Sequence, residues 1–145
     1  MAKDILGFGV IGCGSISNCH IGSILQMSDA RLVGVTDINK NAREHTAEKY
    51  NIQVYDSAEE LVRSKDVDIV CICTPSGLHA PMAILAANAG KHLIIEKPLA
   101  LNLNEVDNIA RACVKSNVKA TVIFQLRYSD GVKTVKNIIE KGFLG

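Results

Sequence analysis

The stretch Ile5–Asp37, ILGFGVIGCGSISNCHIGSILQMSDARLVGVTD, decides how the rest of this chain is read. Ile5 to Ile11 has the length and composition of a strand buried on both faces, and it runs straight into Gly12, Cys13, Gly14, Ser15, Ile16 and Ser17. Beyond that turn, Ile16, Cys19, Ile21, Ile24 and Leu25 recur at helical spacing, which predicts a helix with those positions turned inward. A second apolar run, Leu32 to Val35, ends on Asp37. The order is strand, glycine turn, helix, strand, acid, which is a βαβ unit.

Each part has a physical task if a dinucleotide binds. Gly12 permits a sharp turn, and Gly14 lets backbone amides approach a diphosphate. The diphosphate then rests on the positive N-terminal end of the helix that begins at Ser15 and Ile16. Asp37 stands 23 residues after Gly14, close to the spacing of roughly 20 at which a carboxylate accepts hydrogen bonds from the adenosine ribose. Ser17 occupies the third position of the fingerprint in place of Gly or Ala, which predicts slightly wider helix–strand packing. A G-x-G-x-x-G alone is weak, because many glycine turns after strands bind nothing. The flanking strand, the helix and Asp37 make it informative.

With 145 residues, the chain suffices for a single domain that buries about two-thirds of its unfolded surface. Sixteen basic and 15 acidic residues give a net charge of +1, with no run of like charge. That leaves no electrostatic footprint for nucleic acid or an anionic membrane. The apolar N-terminal run is too short for a secretion signal and is broken by Gly7 and Gly9, and no stretch approaches the ~20 apolar residues of a membrane span. Cys13, Cys19, Cys71, Cys73 and Cys113 are odd in number and lack metal-ligand spacing, so they read as small buried thiols in a reducing, cytoplasmic setting, with no metal site.

Further along, Asn39 caps a helix to about Tyr50, with Ala42, Ala47 and Tyr50 inward, and Gln53–Tyr55 reads as a short third strand. Ser57 with Glu60 forms a capping box ahead of Leu61 and Val62, and Val67–Cys73, apolar but for Asp68, reads as a fourth strand ending in the loop Thr74–Gly77. A helix from His79 or Pro81 stops at Gly90, and a fifth strand, His92–Ile95, delivers Glu96, Lys97 and Pro98 to the sheet edge where the fourth strand ends. Asn102 and Glu105 cap another helix, Lys119–Phe124 reads as a sixth strand, and a last helix, about Gly131–Lys141, places Val132, Val135, Ile139 and Phe143 on one face. Six strands alternating with helices predict an α/β fold, a doubly wound parallel sheet of the Rossmann type. Ligands of such sheets gather beyond the carboxyl ends of the strands.

Gly12-Cys13-Gly14, Thr74-Pro75-Ser76-Gly77-Leu78-His79 and Glu96-Lys97-Pro98 together resemble the glucose-fructose oxidoreductase, inositol dehydrogenase and rhizopine catabolism (Gfo/Idh/MocA) family. GKHLIIEKPL, residues 90–99, is the most specific part, and Phe124-Gln125-Leu126-Arg127-Tyr128 strengthens it. The resemblance covers essentially the whole chain and looks closest to members acting on nucleotide-linked amino sugar acids. It implies an NAD-dependent oxidoreductase that transfers a hydride between nicotinamide and a hydroxyl of a sugar, polyol or nucleotide-linked sugar. By resemblance, Lys97 is the catalytic residue beside the nicotinamide, placing the substrate or relaying its proton. A partly desolvated lysine near a cationic ring loses its proton more easily, which suits acid–base work. Thr74, Pro75 and His79 would line the cofactor and Glu96 would lie near the nicotinamide ribose. Gly12, Gly14, Ser15, Ile16, Asp37, Lys97 and Gln125 complete the cofactor-binding set. The bland alternative for Lys97 is a solvated charge at a strand end, and for His79 a helix-start residue packing locally. His20, His45 and His92 read as structural.

Family members usually carry a second α+β domain that forms the substrate floor, and this sequence stops about where that domain's first strand is expected. Residues 1–128 thus read as the dinucleotide-binding domain and 129–145 as a terminal helix leading toward the absent one. A non-catalytic dinucleotide-sensing module acting through a partner is the competing reading: Lys97 favours the enzyme, and the missing substrate domain favours the module for these 145 residues taken alone. Three further expectations follow. Asp37 disfavours the 2'-phosphate of NADP, with Lys40 and Arg43 near enough to soften that preference. The sharp turn at Lys97-Pro98 suits a cis bond. The apolar face of the last helix, left uncovered, drives homo-oligomer formation.

Overall fold

Six strands pair in parallel in the order β3-β2-β1-β4-β5-β6, in a computed structural model that describes residues 5–143. They are β1 (Leu6–Ile11), β2 (Ala30–Thr36), β3 (Gln53–Val54), β4 (Ile69–Ile72), β5 (His92–Ile95) and β6 (Ala120–Val122). The helices are α1 (Ser15–Ile24), α2 (Lys40–Tyr50), α3 (Ala58–Arg63), α4 (His79–Asn88), α5 (Leu103–Ser116) and α6 (Asp130–Glu140). Strand order reverses between β1 and β4, so the loops after these two strands diverge and leave a crevice at their carboxyl ends. This is the expected doubly wound sheet. The ends of the two expected spans, residues 1–4 and 144–145, lie outside the described residues.

Apolar side chains alternate across the sheet and produce a core on each face. Val70 and Ile72 of β4 and Leu93 and Ile95 of β5 meet Leu61 of α3, the alanines of α4, and Ile109 of α5. On the other face Phe8, Val10, Val35 and Cys71 meet Ile21 and Ile24 of α1 and Ala47 of α2. Continuous apolar strands are what such two-sided burial requires. Ala80, Ala83, Ala86 and Ala87 are all buried, and their small size lets α4 lie close to its neighbours. At Gly9 a Cβ would come within 2.7 Å of the Leu61 side chain, so a side chain in the middle of β1 would displace Leu61 from its place against the sheet.

Helix ends follow the local chemistry. The Ser57 hydroxyl accepts from the Glu60 amide at 3.1 Å while the Glu60 carboxylate accepts from the Asp56 amide at 2.8 Å. Asn102 and Glu105 reciprocate in the same way, at 3.0 Å each. Asn39 caps α2 through the Ala42 amide at 3.2 Å. Gly90, just past α4, takes φ +75°, as expected of a residue terminating a helix.

Three expectations need correction. Along α1 the buried residues are Ser17, Ile21 and Ile24, whereas Cys19 is exposed and Leu25 is 55% exposed at the helix's C-cap. The inward stripe runs at i, i+4 and i+7, and Cys19, two positions from both Ser17 and Ile21, lies on the opposite face, so Cys19 is not one of the buried thiols. β4 and β6 are shorter than their apolar runs. In β4 the chain before Ile69 is engaged by other groups: the Asp68 carboxylate accepts from the Gly7 amide at 2.7 Å, and the Val67 carbonyl accepts from the Lys91 amine, also at 2.7 Å. β6 is an edge strand, and its ladder with β5 spans only Ala120–Val122.

Candidate functional site

The carboxyl ends of β1, β2 and β4 surround a cavity of about 690 Å³, lined among others by Gly12, Gly14, Ser15, Asp37, Thr74 and Pro75. A smaller one of about 250 Å³ lies toward β5 and β6, bounded by His79, Glu96, Lys97 and Gln125. Ile16, Thr74 and Pro75 line both. Every residue expected at the site from sequence therefore borders one cavity or the other.

Gly12 makes the turn out of β1 at φ +98°, and a Cβ there would stand 2.7 Å from the Cys73 carbonyl carbon and oxygen and 2.9 Å from the Thr74 amide. Only glycine lets β1 and β4 approach so closely at the switch point. Gly14 follows as the N-cap of α1, with no side-chain cap and no acid in the helix's first turn. Its own Cβ would meet nothing within 4 Å. The start of α1 thus faces the larger cavity with its orphan amides uncovered by protein, in the arrangement that receives an anion. Ser17 is fully buried with its hydroxyl folded back to donate to the Gly14 carbonyl at 2.6 Å, and this local bond is how the third position carries a hydroxyl.

Asp37 holds this turn in place. One carboxylate oxygen accepts from the Cys13 amide at 2.7 Å and the other from the Asn39 amide at 2.7 Å. Each retains a lone pair directed elsewhere, so the carboxylate can still accept from a ligand hydroxyl. Arg43 donates to the Asp37 carbonyl at 3.0 Å and to the Asp56 carboxylate at 2.8 Å. Lys40 pairs with Glu44 at 3.6 Å. The two cations near Asp37 are thus already engaged, and Asp56 and Glu59, which sequence reading did not single out, add acids to the rim. The rule that ligands sit at strand carboxyl ends, applied to β3, would have found them.

Thr74 is half-buried, but its Oγ1 is fully buried with no hydrogen-bond partner. A hydroxyl left unmatched beside two cavities is costly unless a ligand completes it. His79 is 1% exposed, and its Nδ1 lies 2.6 Å from the Pro98 carbonyl and its Nε2 2.9 Å from the Thr74 carbonyl. It borders the smaller cavity with both nitrogens within hydrogen-bond distance of backbone carbonyls, so it sits between the loop after β4 and the turn after β5. The Lys97–Pro98 bond in that turn is cis. Lys97 itself is exposed, and among the described residues its side chain makes no hydrogen bond or ion pair.

Glu96 is 5% exposed and borders the smaller cavity. Its Oε1 meets His20 Nε2 at 2.9 Å, and its Oε2 accepts from the Lys97 amide at 3.3 Å. His20 was a structural residue on sequence grounds. No periodicity could connect it with a carboxylate 76 residues away. The thiols close by are held neutral: burial pushes Cys13 up to about 11, with Asp37 adding to the rise, and burial with the nearby Cys71 and Glu96 raises Cys73 still further.

A parallel sheet with its crevice at the switch point, a glycine turn opening a helix, and an acid at the tip of β2 define a dinucleotide-binding domain of the Rossmann type. The chain belongs to the Gfo/Idh/MocA oxidoreductase family, whose NAD-binding Rossmann fold is matched over residues 6–124. It is 32% identical over 138 residues to myo-inositol 2-dehydrogenase of Thermotoga maritima, a match that takes in 94% of this chain and 41% of that protein. To glucose-6-phosphate 3-dehydrogenase of Bacillus subtilis it is 30% identical, over 94% of this chain and 39% of the relative. Among solved structures, the WlbA dehydrogenase of Bordetella pertussis in complex with NADH and UDP-GlcNAcA superposes with a TM-score of 0.92 at 34% identity, covering 97% of this chain and 43% of that one. The chain thus spans about two-fifths of the length of these relatives.

Proposed function

We propose that this chain is the NAD-binding part of a dehydrogenase acting on a hydroxyl of a sugar, polyol or nucleotide-linked sugar. The carrying observation is the pair of cavities joined at Ile16, Thr74 and Pro75, with a buried, unmatched Thr74 hydroxyl between them. The larger one suits the adenosine half and the diphosphate: Asp37 accepts from the ribose hydroxyls, and the amides at Gly14, Ser15 and Ile16 face the phosphates. The smaller one suits the nicotinamide half, beside Glu96, Lys97 and Gln125. Bound there, the nicotinamide supplies the hydride acceptor. Lys97, exposed and without a partner among the described residues, is free to donate to the substrate hydroxyl and position it. The named dehydrogenases among the relatives favour this reading over a purely sensing module.

The relatives are more than twice as long as the stretch this chain matches. Hydride transfer needs the substrate carbon held over the nicotinamide, and positioning of that kind is worth ~7 to 11 kcal/mol of barrier. The 145-residue chain therefore binds NADH without turning over substrate. The test pairs NADH titration with NADH production from NAD across sugars, polyols and nucleotide-linked sugars, for this 145-residue chain. Binding without turnover is the expected outcome. Turnover by the 145-residue chain alone would refute the division of labour, and absence of NADH binding at millimolar concentration would refute the cofactor site.

A further inference from the structure

We infer that His20 is a positioning residue for the nicotinamide half of the site, fixing the Glu96 carboxylate from the helix that carries the diphosphate amides. The inference rests on the reading of the smaller cavity given above. α1 starts at Ser15 on the glycine turn, and His20 lies on the same helix, just over a turn further along. From there its Nε2 reaches Glu96 Oε1 at 2.9 Å, with the two side chains only 10% and 7% exposed. A carboxylate only accepts, so Nε2 is the donating nitrogen. The bond ties the start of the chain to the strand end that presents Lys97.

A glutamate has three side-chain torsions, and a buried carboxylate that loses its donor either protonates or turns toward water. The cavity that Glu96 borders is the smaller one. His20 holds Oε1 back against α1 and leaves Oε2 on the Lys97 amide at 3.3 Å, with capacity to accept from a ligand hydroxyl. Without His20 the carboxylate is released beside Lys97, and a salt bridge between the two would occupy the space the ligand needs. One polar unit thus serves both halves: α1 presents amides at its start and orders Glu96 from its middle.

The test compares NADH with ADP, which lacks the nicotinamide half, as ligands of the wild type, His20→Leu, His20→Gln, Glu96→Gln and the Leu/Gln double variant. NADH affinity should fall about tenfold or more in His20→Leu, the effect of losing one buried charge-assisted bond. ADP affinity should stay within about twofold. His20→Gln, which keeps a donor, should recover most of the loss. In the Glu96→Gln background, His20→Leu should add less than about twofold. NADH fluorescence, which reads the nicotinamide surroundings, should change in His20→Leu and return toward wild type in His20→Gln. If His20→Leu does not fold, His20→Asn, too short to reach Glu96, takes its place. NADH affinity unaltered by His20→Leu, or NADH and ADP weakened equally, overturns the inference alone. Failure of the wild type to bind either ligand overturns the cofactor reading beneath it.

Discussion

Gly12 and Gly14 stand two residues apart, yet alanine at each should fail in a different way. At Gly12 the backbone sits at φ +98°, and a Cβ would lie 2.7 Å from the Cys73 carbonyl and 2.9 Å from the Thr74 amide. The left-handed conformation costs alanine ~1 to 2 kcal/mol, and relieving the overlap against β4 costs ~1 to 3 kcal/mol more, so Gly12→Ala should lose about 2 to 5 kcal/mol. For a domain of this size that is roughly a 5 to 20 °C fall in Tm. At Gly14 φ is −77° and nothing stands within 4 Å of the added carbon. Alanine is a poorer N-cap than glycine but restricts the unfolded chain, and these opposed effects leave stability within about 1 kcal/mol. A methyl group on the cavity wall nevertheless keeps a diphosphate off the α1 amides, so NADH affinity should fall about tenfold or more. Urea unfolding followed by circular dichroism, with NADH titration by fluorescence, separates the two effects. Wild-type NADH affinity in Gly14→Ala would show that the phosphates lie elsewhere, and wild-type stability in Gly12→Ala would refute the account of the turn.

Asp37→Ser should raise NADPH affinity relative to NADH by about tenfold or more by removing a charge beside the 2'-phosphate; isothermal titration with both cofactors reads the ratio, and an unchanged ratio argues against Asp37 as the discriminator. Thiol ionisation should destabilise the fold at alkaline pH. Burial raises Cys71 from 9.0 to about 12 and Cys73 further, so above pH 9 the unfolded chain loses protons that the folded one retains. Stability is full below pH 9 and drops by up to about 1.4 kcal/mol per pH unit per thiol as pH rises toward the folded values; urea midpoints at pH 8 and pH 10 should diverge less in a Cys71→Ala/Cys73→Ala variant, and equal divergence refutes the assignment. The face of α6 is uncovered, with Val135 52%, Ile139 58% and Phe143 75% exposed, so the 145-residue chain should self-associate and Val135→Glu/Ile139→Glu should shift it to monomer in analytical ultracentrifugation; a monomeric parent chain would refute this.

Local chemistry determined most of the fold. Apolar runs too continuous for a one-sided sheet, capping boxes at Ser57 and Asn102, and glycine at 14 and 90 each act through neighbours within a few residues, so the βα alternation and its ligand-binding edge are legible in the sequence alone. The same holds for Asp37 and Lys97, which fall at strand ends whatever the details of packing. Tertiary structure decided the rest, because it depends on distances across the chain. The register of α1 is set by what the sheet offers it, which turned Cys19 outward and Ser17 in. His79 borders a cavity, yet two backbone carbonyls from separate loops claim its nitrogens. His20 meets Glu96 only because β1 and β4 lie side by side at the switch point and β5 follows beside β4. Sequence determines which residues stand at strand ends; which of them are free to touch a ligand follows only when separate loops compete for the same atoms.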